Sequence, residues 1–313
     1  YFLIGDALGN GMVKLLNKKQ PGNWQRWRGP GFDGAAEAGD YPVDLDPAKA
    51  LWKAEVPGRG FSTPVILNER IYLTTGTEGQ DAVLCFDWSG RKLWQKFLGK
   101  EREGKHTNAS GSNPSVATDG TALFVFFKSG TLASLALDGT VRWKHNLFKR
   151  FGGDNRFWDF GTSPVLTEDA VVMAQMHAGD SYLAAFDKKT GELTWKVARN
   201  YETPLEGDQS YTTPIVYSRK DREALVVWGA LHLTSHDASD GSIIWSCGGF
   251  NPGSKELWPV IASPVIAGDV AVLSCGRADR RQPRFHGIQL GGAGDVTATH
   301  RLWKREDVGS FVP

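Results

Sequence analysis

The chain has 313 residues, with 36 Lys and Arg against 35 Asp and Glu and a formal net charge of +1. That balance excludes an electrostatically driven nucleic-acid binder, which needs a strongly basic surface. With 41% hydrophobic residues and 12 tryptophans there is ample material for a buried core, and length alone suggests about two domains.

At the N-terminus, Phe2-Leu3-Ile4 and Met12-Val13 are apolar, but Asp6 interrupts them and Lys14, Lys18 and Lys19 follow rather than precede. This is the wrong order for a secretory signal and too short for a membrane span. Residues 1–22 are therefore set apart as a poorly defined segment, with no transmembrane segment expected and 23–313 read as one repeat domain. The repeat overrides the two-domain prior.

Leu51-Trp52-Lys53-Ala54-Glu55 reads as an outer strand with no strands before it. From there a proline returns about every fifty residues, in Thr63-Pro64-Val65, Asn113-Pro114-Ser115, Ser163-Pro164-Val165, Thr213-Pro214-Ile215 and Ser263-Pro264-Val265. These are expected to occupy equivalent places in five modules. A second landmark shares the period: Gly90, Gly139, Gly191 and Gly241 each stand four residues before Trp94, Trp143, Trp195 and Trp245. Self-similarity at this period means a repeat architecture.

Each module reads as four strands. Pro opens a short apolar run, a place where its missing donor costs little. A polar turn leads to a β-rich run such as Ile71-Tyr72-Leu73. A third run ends at Asp87, Asp138, Asp187 or Asp237, where Asp caps the turn and Gly supplies positive φ. The fourth strand carries the Trp. Four short antiparallel strands per repeat are the pattern of a β-propeller blade; a helical solenoid would need apolar residues at i, i+3 and i+4. The fold class is all-β, a β-propeller with five complete blades plus an orphan outer strand. Such a set does not close a ring, so an open C-shape from a seven- or eight-bladed protein, incomplete at the C-terminus, is expected. Ser310-Phe311-Val312-Pro313 falls where a sixth first strand would begin. Trp52, Trp94, Trp143, Trp195, Trp245 and Trp303 are expected to wedge against neighbouring blades.

The fifth module departs from the pattern, with Gly291-Gly292-Ala293-Gly294-Asp295 before Trp303. Its Arg277, Arg280, Arg281 and Arg284 read either as a solvated loop or as an anion site. Cys85, Cys247 and Cys275 lie far apart; buried thiols are the default, and a Cys247–Cys275 disulfide stays open. His232 and His236 have the i, i+4 spacing of a helical zinc pair, but the segment reads as strand, where four residues span about 13 Å. No metal site is assigned.

A binding site would lie where loops join the outer strand of one blade to the inner strand of the next. These loops supply Arg59 and Phe61, then His106 and Asn108, then Asn155, Arg156, Trp158 and Asp159, then Glu206, Asp208, Gln209 and Tyr211, then Glu256 and Trp258. Such a mixed aromatic and polar surface suits a sugar, a quinone or a partner peptide, and the plainer reading is ordinary polar loops.

Asp187-Lys188-Lys189-Thr190-Gly191-Glu192-Leu193-Thr194-Trp195 resembles the repeat of the PQQ-like propellers, a superfamily that holds quinoprotein alcohol dehydrogenases and BamB-type outer-membrane assembly lipoproteins. Asn23-Trp24-Gln25-Arg26-Trp27-Arg28-Gly29-Pro30, Gly58-Arg59-Gly60-Phe61-Ser62-Thr63-Pro64-Val65 and Gly294-Asp295-Val296-Thr297 look like a group of bacterial PQQ-like propeller proteins. The resemblance covers nearly everything after Asn23. It implies either a non-catalytic binding or assembly module of the periplasm or cell envelope, with a protein, small-molecule or carbohydrate partner on the loop face, or a PQQ-dependent dehydrogenase of alcohols or sugars. In the second case PQQ would sit over Ca2+, and Asp159 or Asp208 would be the candidates for acid–base work. The chain lacks the neighbouring cysteines that commonly lie beneath that cofactor, and none of its Glu, Asn or Asp matches the family's metal ligands. No lipoprotein Cys precedes Cys85. Fold alone does not choose between the two.

Overall fold

The structure is a computed structural model that describes residues 2–5, 11–15, 22–36, 38–39, 41, 46–107, 109–219 and 222–310. Asn108 and Phe311-Val312-Pro313 lie outside the described residues. The chain divides into two compact units, one of residues 1–153 and 157–164 and the other of residues 154–156 and 165–313.

The first unit holds three sheets. Phe2–Gly5 (β1), Gly11–Leu15 (β2) and Ala50–Glu55 (β3) form a three-stranded sheet. Val65–Leu67 (β4), Arg70–Thr77 (β5), Gln80–Asp87 (β6) and Lys92–Lys100 (β7) form a four-stranded meander, and Ala117–Thr118 (β8), Ala122–Phe126 (β9), Thr131–Ala136 (β10) and Val141–Asn146 (β11) form another. A short helix, Leu147–Phe151 (α1), follows, with the Asn146 side chain accepting from the Lys149 N–H as its N-cap.

The second unit repeats the meander. Its sheets are Val165–Leu166 (β12), Ala170–Gln175 (β13), Tyr182–Asp187 (β14) and Leu193–Ala198 (β15), then Ile215–Arg219 (β16), Arg222–Gly229 (β17), His232–Asp237 (β18) and Ile243–Cys247 (β19). In the last, Val265–Ala267 (β20), Val270–Arg277 (β21) and Gln282–Gln289 (β22) are completed by Arg301–Arg305 (β24). The Gly-rich departure before Trp303 is thereby explained. Gly294–Asp295 (β23) leaves the fifth meander and pairs in parallel with β19, Trp245 opposite Gly294, so the fourth meander gains a fifth strand.

Both faces of these sheets are apolar, with the two-residue period of a strand. Along β6, Val83 and Cys85 join a core with Tyr72, Trp94, Leu123, Val125 and Leu135, which packs the first meander on the second. Leu84 and Phe86 join Ile71, Leu73, Ala54 and Trp52 on the opposite face. Near-continuous apolar runs, rather than clean alternation, are what burial on both faces produces.

The two landmarks of the repeat are the two sides of one contact. Gly90, at φ 84°, lies against the Trp52 indole so closely that a Cβ there would be 2.6 Å from Cε3. Gly139 stands in the same relation to Trp94, and Gly241 to Trp195, at 3.1 Å and 2.6 Å. Each indole Nε1 then donates to a carbonyl of the turn it covers: Trp52 to Trp88 O at 3.0 Å, Trp94 to Leu137 O at 3.2 Å and Trp195 to Ala238 O at 3.0 Å. Glycine is required twice over, for the positive φ and for the absent side chain. Each of these three indoles covers the turn of the following sheet. Trp303 differs: it is 40% exposed and lies over Gly287, its cross-strand partner on β22.

Two further expectations are corrected. The strand at Leu51 is not alone, because β2 pairs antiparallel with β3 and β1 with β2; a solitary strand would leave both its edges open. The second proline is also out of place. In the ladder, Val65 corresponds to Ala117, Val165, Ile215 and Val265, each paired toward the Trp of its own sheet. The position two residues before the first strand is therefore held by Thr63, Ser115, Ser163, Thr213 and Ser263; four of the prolines directly follow it, whereas Pro114 precedes it and Val116 stands in the usual place of the proline. What recurs there is a hydroxyl. Within the first unit Ser115 Oγ accepts from the Thr63 N–H at 2.8 Å and Ser163 Oγ from the Ser115 N–H at 2.9 Å, and within the second Ser263 Oγ accepts from the Thr213 N–H at 3.1 Å.

The Asn23–Pro30 motif runs along the first strands β4 and β8. Trp24 exchanges backbone hydrogen bonds with Ile66 on β4 at 2.8 and 2.9 Å, and Gln25 O accepts from Thr118 N–H on β8 at 2.9 Å. The segment thus straps the open edges of the first two meanders.

Candidate functional site

The loops named from the sequence fall into two groups, one on each compact unit. On the first unit, Arg59 makes a backbone bridge to Gly76, at 2.8 and 2.9 Å, and its guanidinium lies 5.6 Å from the Phe61 ring. His106 and Trp158 come together with ring centroids 4.2 Å apart, and Phe157 meets Trp158 edge-on at 5.1 Å. Trp158 is 45% exposed and Phe157 56% exposed. Large aromatics this exposed contribute little to a core.

The loops that carry this cluster are pinned from beneath. Asp159 is buried, and one carboxylate oxygen is paired with the buried Lys128 ammonium. The other accepts from the Lys105 N–H at 2.8 Å, while Lys128 Nζ also donates to Glu103 O at 2.7 Å. Lys105 Nζ donates to Phe157 O at 3.3 Å. One ion pair thus ties residues 103–105 to residues 157–159, setting His106 against Trp158. Phe160 anchors the segment further by packing on Phe126, centroids 4.7 Å apart. Asp159 therefore serves as an anchor with both carboxylate oxygens engaged.

On the second unit, Arg156 is buried and donates to Asp154 at 2.7 Å, to Ser210 O at 3.1 Å and to Gln175 Oε1 at 3.1 Å. Burial pulls its guanidinium below the ordinary range, and the Asp154 charge opposes that pull. Asn155 is exposed and donates to Ala178 O at 3.2 Å. Gln209 is buried and accepts from the Tyr211 hydroxyl at 3.1 Å. Asp208 is half-buried and acts by charge on His177, whose imidazole is driven down by burial first and by Arg156 second. Trp258 does not face solvent with these loops. It is buried at 1% exposure, in the space left by Gly276, whose Cβ would come within 3.0 Å of the indole.

Sequence reasoning passed over Phe157, Lys128, Lys105 and Asp154. Phe157 had a signal in its adjacency to Trp158 on one loop. Lys128 had none, because a lysine in a turn ordinarily stays solvated.

The cysteines are free and buried, with no Cys247–Cys275 bond. Burial pushes the Cys85 thiol up to about 12. His236 uses both ring nitrogens, on Gly241 O at 2.8 Å and Thr234 Oγ1 at 2.9 Å, and burial lowers it to about 4. Arg277 pairs with Asp279 and Arg284 with Glu306, and both arginines lie on strands with side chains only 14% exposed, so neither belongs to a solvated loop. Among the described residues no three His, Cys, Asp or Glu side chains gather as a metal cluster, and no helix is long and apolar enough to cross a membrane. Among the described residues no two cysteines adjoin, and Asp159, one of the two candidates for acid–base work, has its carboxylate oxygens engaged by Lys128 and the Lys105 N–H.

Comparisons with known proteins agree on the fold. The chain is similar to the quinohemoprotein alcohol dehydrogenase from Comamonas testosteroni, at 16% identity and a TM-score of 0.60 over 82% of this chain. It is similar also to BamB from Moraxella catarrhalis, at 14% identity and 0.54 over 85%, and to a europium-containing methanol dehydrogenase, at 10% and 0.55 over 81%. The chain spans 44%, 70% and 51% of those structures respectively. Among curated proteins none matches significantly. The family profile described as outer membrane protein assembly factor BamB matches residues 40–179 and 80–313, and with most of its length so covered the chain belongs to this family of PQQ-like β-propeller proteins.

Proposed function

We propose that the chain acts as a non-catalytic binding or assembly module of the bacterial cell envelope and engages its partner through the loop surface centred on His106, Phe157 and Trp158. The observation that carries this reading is the division of labour within the loops. Their buried ionic groups are spent on each other, Asp159 on Lys128 and Arg156 on Asp154, while aromatic surface is left exposed on a pinned support. Acid–base chemistry needs a group within reach of a substrate proton. Recognition needs rigid aromatic anchors, which supply contact area at low entropy cost. The family's assembly factors supply the class of partner, a protein, with a sugar ring as the small-molecule counterpart that stacks on the same rings.

The test compares capture from envelope extracts by the wild-type chain and by Trp158→Ala, identifying what the first retains and the second loses. The reading predicts a partner whose retention falls at least tenfold in the variant. Equal retention of every partner by both proteins would sink it. The second reading, a PQQ-dependent dehydrogenase, rests on the family likeness and is tested by PQQ titration of the same protein.

A further inference from the structure

The junction between the first two meanders holds a pair of carboxyl groups that neither the fold nor the proposed binding surface uses. Asp81, near the start of β6, is 0% exposed. Its Oδ2 accepts from Ser129 Oγ at 2.5 Å, and its Oδ1 has no hydrogen-bond partner among the described residues. Its cross-strand partner is Gly76 on β5. Directly paired residues face the same side of a sheet with Cβ positions about 5 Å apart. Gly76 has no side chain to fill its share of that face. The Glu101 carboxylate fills it instead, so that a Cβ built on Gly76 would fall inside the carboxylate group. Gly111 closes the far side, its own Cβ position 3.1 Å from Glu101 Oε1. Two glycines thus form a cradle in which a buried, half-satisfied carboxyl adjoins a second one.

Two like charges at such range repel unless a proton or a cation sits with them. Burial pushes Asp81 up to about 7; the Ser129 hydrogen bond works against that rise, and the Glu101 charge adds to it. Glu101 is raised by burial and then by Glu103. No Lys or Arg among the described residues is paired with either carboxyl. The donors on offer are oxygens alone: Asp81 Oδ1, the Glu101 carboxylate and the Ser129 hydroxyl. Hard cations that accept irregular sets of carboxylate, neutral oxygen and water ligands suit such a place, and Ca2+ is the type case.

We propose that Asp81 and Glu101, with the Ser129 hydroxyl, form a site for a divalent cation of the calcium class that staples the first meander to the second. Asp81 belongs to one sheet, Ser129 to the turn between β9 and β10 of the next, and Glu101 to the segment that joins them. A bound cation would therefore tie three separate stretches of chain at a point where the sheets meet. The site stands independently of PQQ and of the aromatic loop surface.

The experiment titrates the full chain, stripped with chelator and exchanged into chelator-free buffer at pH 7, with calcium chloride alone. Calorimetry in two buffers of unlike ionisation enthalpy reads affinity and proton release together. The site predicts saturable binding of one Ca2+ per chain with release of protons, because the cation displaces those the carboxyls hold. Asp81→Asn and Glu101→Gln, which keep shape and remove charge, each weaken binding at least tenfold, while Glu103→Gln stays within twofold. A folded wild-type chain that shows no saturable binding overturns the proposal, as does wild-type affinity in a folded Asp81→Asn protein. Should either variant fail to fold, Ser129→Ala decides: wild-type Ca2+ affinity in that folded protein places the ion elsewhere and overturns the assignment.

Discussion

Lys128→Met isolates the contribution of the ion pair beneath the aromatic loops. The two side chains are 1% and 3% exposed, so solvent screening does little to soften the loss. Methionine keeps most of the lysine volume and removes the charge. It leaves the Asp159 carboxylate buried with only the Lys105 N–H, and strips a donor from Glu103 O. Breaking a buried pair from one side costs about 3–5 kcal/mol, because an uncompensated charge remains. Against a total stability of about 5–15 kcal/mol this is a large fraction. Removing both charges, in Lys128→Met with Asp159→Leu, relieves the stranded carboxylate and returns most of the loss. Urea unfolding measures each variant, with an unchanged slope showing that the midpoint shift reports stability. A single-variant loss below about 1 kcal/mol would refute the buried pair as the support of these loops, and so would a double variant at least as damaged as the single one.

Gly241→Ala forces a side chain into positive φ and into the Trp195 ring at 2.6 Å; backbone strain of about 1–2 kcal/mol and overpacking of about 1–3 kcal/mol add to a loss of about 2–5 kcal/mol in denaturant unfolding. Trp158→Ala, at an exposed position, changes stability by no more than about 0.5 kcal/mol while lowering partner retention tenfold, which separates recognition from folding. With chelator present, stability falls as pH rises. Asp81 has its folded-state value raised to about 7 from 3.8, so the folded chain holds the extra proton between these values. The contribution is fully present below about pH 4 and lost through pH 7, about 4 kcal/mol at 1.36 kcal/mol per unit, and Asp81→Asn flattens that slope in urea titrations at pH 5 and pH 8.

The repeat was legible because its landmarks are steric requirements. A glycine at positive φ under a tryptophan admits no substitute, so Gly90 with Trp52, Gly139 with Trp94 and Gly241 with Trp195 leave the same mark in three turns. The proline misled in the second module because it is only compatible with the place before a strand, whereas the hydroxyl of Ser115 or Ser163 makes the bond that joins sheets. Serine and threonine are too common to stand out without the ladder that aligns them. Of the candidate site, the loops were legible from topology, but the roles within them were not. Asp159 looked like chemistry and is an anchor, because its partner Lys128 lies 31 residues away in a turn of another sheet. Trp258 looked like a rim residue and is core, because Gly276 leaves room for it from a strand distant in sequence. Burial of a loop residue depends on what the far end of the chain removes, and no local pattern records that. Trp158 is exposed, beside an exposed Phe157 to which the sequence reading gave no role.

The measurement that bears most directly on the functional reading is titration of the folded protein with PQQ in the presence of Ca2+, followed by dye reduction with alcohols and sugars. A Ca2+-only titration alongside it isolates the cation site at Asp81 and Glu101. A binding or assembly module predicts no saturable PQQ binding and no substrate-dependent reduction. One PQQ bound per chain, with reduction that depends on substrate, would contradict it and establish the dehydrogenase.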